Sequence, residues 1–238
     1  VTVATIGFVN AGVLTLRQAI GVIFGTNVGT TITGWLVSLV GFDIKIEALA
    51  MPILAVGVII RYTSTLKRRR GFGQSLIGFA LFFLGLSILK SAFSGVTENF
   101  GTDIFTTSNV SGAWIFVLLG FFITALTQSS SAAIAIILTA AGEGIIGVNV
   151  AAAAVIGANI GTTSTAVIAA FNATPNAKRV AAGHVAFNVI TGLVALSLLP
   201  LFIWFVSAAG HLIGMKDQPA LFLALFHTLF NLLGVILI

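Results

Sequence analysis

The sequence predicts an all-α integral membrane protein of inverted repeats, with re-entrant hairpins and discontinuous transmembrane helices. Three observations predict it. The chain of 238 residues is 58% hydrophobic and only 7% charged, where a soluble domain carries roughly 25% charged residues. Its polar residues gather in short runs between long apolar ones, without the alternation of a barrel strand. One of those runs, Gly157-Ala-Asn-Ile-Gly-Thr-Thr163, has a twin at Gly25-Thr-Asn-Val-Gly-Thr-Thr31, 157 − 25 = 132 residues earlier. Two copies of one polar interruption point to a transporter with its site at the repeat interface.

Composition also excludes. A mean hydropathy of +1.15 over one compact length predicts a single transmembrane domain across residues 1–238, multi-pass in a cell membrane. The chain has no cysteine, hence no disulfide framework and no thiolate metal site. The eleven basic residues against six acidic ones read as a positive-inside bias rather than a nucleic-acid surface. The apolar start lacks the basic opening and the cleavage site of a signal peptide. At the 132-residue offset Val1 falls opposite Ala133, so the first copy is expected to lack its opening. Repeat 1 then covers about residues 1–66 and repeat 2 about 112–207.

In chain order, Val1 to Asn10 reads as half a helix, followed by a turn. Gln18 to Val40 is apolar and expected to break at the first glycine motif. Gly41 to Lys45 reads as a loop. Ile46 to Ser64 spans, with Pro52 as a candidate kink. Lys67-Arg-Arg-Arg70 is a polar break, and Gln74 to Phe93 spans again. Ser94 to Ser111 is the longest polar segment. Trp114 to Leu126 and Ala132 to Ala141 are two apolar arms, each about half of the ~20 residues needed to span. They flank Gln128-Ser129-Ser130-Ser131. After a turn at Gly142-Glu-Gly144, Asn149 to Phe171 is expected to span with a break at the second glycine motif. Asn172 to Arg179 reads as a loop. Val180 to Ser207 is long, with Pro200 as a kink, and Gly210 to Gln218 reads as a loop. Pro219 opens the last helix at a favoured first position.

Sidedness decides the topology. If Trp114 to Ala141 enters and leaves on one face, then Arg17, Arg61, Lys67 to Arg70, Lys178 and Arg179 share one side. Asp43, Glu47, Glu98, Asp103, Glu143 and Asp217 share the other. A single crossing there would set Lys178 and Arg179 opposite Arg68. The positive-inside rule favours the hairpin, which also makes the two copies antiparallel.

The glycine motifs match the small-residue helix-packing pattern, but packing alone gives no reason for the Asn and paired threonines in both copies. Unwinding does: glycines let the backbone leave helical geometry, and freed oxygens ligate sodium. The serine run fits a hairpin tip, where hydroxyls and a helix N-terminus face an anion. His184 and Asn188 are four residues apart, as are His227 and Asn231. Both pairs fit interhelical hydrogen bonds. His227 lies deeper in its helix and is the candidate proton-sensitive group. No carboxylate falls inside an expected span apart from Glu47 at a helix start. A neutral site of this kind favours anion–sodium symport over proton coupling.

At Gln128–Ser131, at both glycine motifs and at Phe226-His-Thr-Leu-Phe-Asn-Leu-Leu-Gly234, the chain resembles the sodium-dependent phosphate cotransporters of type II and their bacterial relatives. The resemblance implies two hairpins and two broken helices meeting at mid-membrane. It implies sodium-coupled movement of inorganic phosphate by alternating access, with sodium as coupling ion and no other cofactor. The expected phosphate ligands are Gln128, Ser129, Ser130, Ser131, Asn159, Gly161, Thr162, Thr163, Asn27, Thr30 and Thr31. The expected sodium ligands are Ser130, Ser131, Asn159, Thr162, Thr163, Ser164, Asn27 and Thr30. The alternatives are a transporter or channel for another oxyanion, and an intramembrane serine protease pairing a serine of the run with His184. The protease reading lacks a Gly-x-Ser-x-Gly elbow and gives no reason for the duplication.

Overall fold

The computed structural model describes residues 1–39, 46–100, 112–212 and 218–238. The expectations for Gly41 to Lys45, Asp43, Asp103 and Asp217 lie outside the described residues. So do the parts of the two polar segments at residues 101–111 and 213–217.

The described residues form helices throughout. The chain opens with α1 (Thr2–Asn10), α2 (Leu16–Gly29), α3 (Thr31–Leu39) and α4 (Ile46–Thr63), and α5 (Lys67–Phe100) follows. Then come α6 (Ala113–Thr127), α7 (Ser130–Gly142), α8 (Val148–Ala170), α9 (Pro175–Ser197), α10 (Leu199–Leu212) and α11 (Pro219–Leu237). Five segments are long and apolar enough to cross a membrane: Leu16–Ser38, Lys67–Asn99, Val148–Ala170, Pro175–Ser197 and Pro219–Leu237.

Arms α6 and α7 have 15 and 13 residues. At 1.5 Å per residue each reaches only about 20 Å, short of the ~30 Å hydrocarbon core. They meet at Gln128, which takes the left-handed conformation at φ 53° and so reverses the chain. Ser129 caps α7, its side chain accepting from Ala132 N–H at 3.2 Å.

Local structure repeats at the same offset as the motifs. Helix α1 ends at Asn10 and α7 at Gly142, while α2 begins at Leu16 and α8 at Val148. Both intervening turns use a glycine in the left-handed region, Gly12 at φ 73° and Gly144 at φ 74°. A side chain would be strained at either position.

Four expectations need correction. Helix α8 runs unbroken through Gly157–Thr163. The reason is packing: a Cβ at Gly157 would collide with the Val117 carbonyl of α6, and one at Gly120 with the Ala154 carbonyl of α8. The glycines bring two backbones into contact, and the helix keeps its hydrogen bonds. The first copy does break, at Thr30 between α2 and α3, yet Thr30 stays helical at φ −64° and ψ −21°, so this is a kink rather than an unwound stretch. Lys67 to Arg70 does not interrupt the chain but forms the first turn of α5, and that helix continues past Ser94 to Phe100. Residues 175 to 179 are helical, with Pro175 at the start of α9. Helix α4 passes through Pro52. The interruption near Pro200 falls at Leu198, since a proline at 200 has no N–H to donate to the carbonyl four residues back.

Two apolar cores organise the packing. One joins α3 through α8 with the end of α9, α10 and α11, and the other joins α1, α2, the end of α8 and the start of α9. Asn10 ties the second together, its Oδ1 accepting from Thr174 N–H at 2.7 Å. Ser94 Oγ donates to Glu143 Oε2 at 2.6 Å, so the far part of α5 lies beside the α7–α8 turn. Arg68 stands at the other end of α5. Helix α8 leads away from Glu143 for 23 residues, about 34 Å, towards Lys178. Glu98 and Glu143 are thus at one end of the bundle and Arg68 and Lys178 at the other, the arrangement expected of a hairpin.

Candidate functional site

A cavity of about 270 Å³ opens where the hairpin tip meets the two motif helices. Its wall is built from Thr26, Asn27 and Thr30 of α2 and its kink, Gln128 to Ser131 at the tip, and Asn159, Thr162 and Thr165 of α8. Val1 to Val3, Thr124 of α6 and His184 of α9 complete it. None of these residues is Asp, Glu, Lys or Arg.

The two motifs present the same chemistry to this space. Thr30 donates its hydroxyl to the Asn27 carbonyl at 2.6 Å, and Thr162 donates to the Asn159 carbonyl at 2.6 Å. Thr26 donates to the Val22 carbonyl at 2.8 Å. Asn27 commits Nδ2 to the Ile23 carbonyl at 3.1 Å, and Asn159 commits Nδ2 to Asn231 Oδ1 at 3.0 Å. A hydroxyl that has donated its proton offers only lone pairs, and an amide whose nitrogen is engaged turns its oxygen elsewhere. The hydroxyls of Thr26, Thr30 and Thr162 and the Asn27 oxygen are therefore left as acceptors on α2 and α8, while the Asn159 oxygen, shared with His227 Nε2, keeps one further lone pair.

The hairpin tip presents donors. Ser129 Oγ accepts from Ala132 N–H, and Ser131 Oγ accepts from Thr33 Oγ1 at 3.2 Å. Both keep their own protons free to donate. The first N–H groups of α7 have no partner within the helix and carry its positive dipole end. Gln128 turns its amide nitrogen back onto the Ala125 carbonyl, leaving its oxygen free. The Thr33–Ser131 bond joins α3 to α7.

The cavity brings together Asn27, Thr30, Gln128, Ser129, Ser130, Ser131, Asn159 and Thr162. It leaves out Gly161, Thr163, Ser164 and Thr31. Gly161 packs on α6, Ser164 Oγ donates to the Gly161 carbonyl at 2.8 Å, and Thr31 Oγ1 donates to the Val28 carbonyl at 2.7 Å. Thr163 is buried. His227 stands behind the wall, Nε2 3.4 Å from Asn159 Oδ1. Sequence reasoning missed Thr26, Thr124, Thr165 and the pocket position of His184. The first belongs to the repeated motif and was legible; Thr124 carries no signal, because only the packing of α6 on α8 brings it in. Among the described residues, no group of His, Cys, Asp and Glu suits a metal ion.

The model of the Na+/Pi-cotransporter family matches residues 1–91 and 101–215. The chain is 34% identical over 236 residues to "Uncharacterized protein YqeW" of Bacillus subtilis, covering 99% of this chain and 73% of that one. It is 28% identical to "Putative inorganic phosphate export protein YjbB" of Escherichia coli, covering 97% of this chain and 40% of the relative. Human "Sodium-dependent phosphate transport protein 2B" is 31% identical over 148 residues, 60% of this chain and 21% of its own. The chain thus spans less than half of the latter two. No solved structure matches it.

Proposed function

The chain belongs to the Na+/Pi-cotransporter family, and on that premise we propose that it moves inorganic phosphate across the membrane together with sodium, by alternating access. The observation that carries the reading is the split wall: donors at the hairpin tip, acceptors on α2 and α8. Phosphate oxygens need donors, and Ser129, Ser130, Ser131 and the first N–H groups of α7 supply them. Sodium needs oxygens, and Thr26, Asn27, Thr30, Asn159 and Thr162 supply them. With no charged side chain in the wall, an anion is costly there unless a cation enters beside it. That cost couples the two.

Closure follows from the same contacts. Bound ions bridge the hairpin tip to α2 and α8, elements from both repeat copies, so loading favours the conformation in which the copies close over the cavity. The pairs Thr33–Ser131 and Asn10–Thr174 already join elements of the two copies and are the contacts that would shift as one copy rocks against the other.

The names of the relatives describe transporters. One is named for export and another for sodium dependence, so direction is a property to measure. Labelled phosphate flux through proteoliposomes of the full-length protein, with sodium gradients of either sign, tests the reading. Flux should follow the sodium gradient. Flux indifferent to sodium and driven by a pH gradient overturns the coupling, and sulfate moving in preference to phosphate overturns the substrate.

A further inference from the structure

Among the described residues, helix α11 holds Asn159 as no neighbouring helix holds its twin, Asn27. Asn231 Nδ2 donates to the His227 carbonyl at 2.9 Å, one turn back on the same helix. A backbone carbonyl only accepts, so this bond settles which end of the Asn231 amide is which. Its Oδ1 then accepts from Asn159 Nδ2 at 3.0 Å. Asn159 in turn presents Oδ1 to His227 Nε2, 3.4 Å away, and that nitrogen must carry the proton between them. The orientations of three side chains thus follow from one carbonyl oxygen. All three residues are buried.

The same spacing elsewhere does not produce this arrangement. On α9, Asn188 Nδ2 donates to the His184 carbonyl at 2.9 Å, but Asn188 Oδ1 meets no partner; the Nδ1 atoms of His184 and His227 are alike in meeting none. Asn27 turns its nitrogen onto its own helix. Among the described residues, only Asn159 has a side-chain partner at both ends of its amide.

We infer that His227 and Asn231 are positioning residues that fix the Asn159 amide with its oxygen in place for the cation. The inference rests on the sodium–phosphate reading of the cavity. An amide is nearly symmetric in shape, and its terminal torsion is soft. Without the pair it can turn over and set an N–H where an oxygen should meet sodium. The clamp therefore acts on the cation and not on the anion, which the hairpin tip holds. An ordinary interhelical contact would act on neither selectively.

The test measures half-saturating sodium and half-saturating phosphate separately, in proteoliposomes of the full-length protein. His227→Phe keeps the ring and removes the donor. It should raise half-saturating sodium about ten-fold, and phosphate at saturating sodium less than about two-fold, as loss of one oriented hydrogen bond predicts. His227→Gln places an N–H near the same oxygen and should return sodium to within about three-fold of wild type on the same scale. In an Asn159→Ala background, His227→Phe should add nothing. Asn231→Leu, which removes the partner at the other end of the amide, should shift sodium in the same selective way and serves where His227→Phe does not fold. Sodium and phosphate shifting together, an unchanged sodium dependence, or additive effects in the double variant would overturn the inference while leaving coupled transport intact. Wild-type flux without sodium dependence would overturn the coupling and the inference together, so the wild-type arm separates the two failures.

Discussion

Gly161→Ala tests whether the second glycine motif binds ligand or seats the hairpin. A Cβ at Gly161 would stand 2.7 Å from the Phe121 carbonyl oxygen and 2.7 Å from Thr124 Cβ. Ordinary contact begins at 3.4 Å, so α6 must retreat by about 0.7 Å (3.4 − 2.7). Both obstacles belong to a helix packed closely on α8 and not to the flexible end of a long side chain, so the strain has no cheap release. Overpacking of this kind costs about 1–3 kcal/mol. Gly78→Ala is the control: it lies inside α5 with nothing within 4 Å of the added carbon. There, alanine should be neutral or stabilising by up to about 1 kcal/mol. Equilibrium unfolding of the purified protein in mixed micelles reads both. Sodium and phosphate affinity in the surviving folded Gly161→Ala protein should change by less than about three-fold, because Gly161 does not line the cavity. A variant as stable as wild type, or a stable one that has lost phosphate binding, would refute the packing account and restore Gly161 to the site.

Other consequences follow from the split wall and the helix ends. Ser130→Ala and Ser131→Ala should raise half-saturating phosphate about five- to ten-fold with a smaller effect on sodium, since each removes a donor worth about 1 kcal/mol; equal shifts in both would count against the donor side. Thr30→Val and Thr162→Val should do the reverse, raising half-saturating sodium by a similar factor, and an unchanged sodium dependence in both would dissolve the acceptor side. Single cysteines replacing Arg68, Glu98, Glu143 and Lys178 report on topology, against no cysteine in the native chain. In intact cells only the variants at 98 and 143 should react with an impermeant maleimide. Reaction at 98 alone, with 143 appearing after permeabilisation, would mean that the hairpin crosses the membrane.

The duplicated motif made the cavity legible because polar groups in apolar sequence need partners, and two copies at one offset are hard to produce by packing alone. The turns that hold Gly12 and Gly144 were legible as short interruptions between apolar runs. Unwinding at Gly157–Thr163 was not. Glycines that let a backbone unwind also let two helices touch, and the outcome depends on what lies opposite, here Val117, Gly120 and Phe121 of α6. The two His–Asn pairs are alike in spacing, yet α9 brings His184 to the cavity and α11 keeps His227 behind Asn159, a difference set by tertiary packing. Lys67 to Arg70 read as an end because charge marks a membrane edge; lysine and arginine are also good helix formers, so α5 begins within the run.

The central claim is that one neutral cavity holds phosphate and sodium side by side, each making the other affordable. Binding of phosphate to the purified full-length protein, titrated at a series of sodium concentrations, tests it without transport. Sodium should tighten phosphate binding, and phosphate should tighten sodium binding by the same factor, as linkage requires. Phosphate binding of the same affinity with and without sodium would contradict the account.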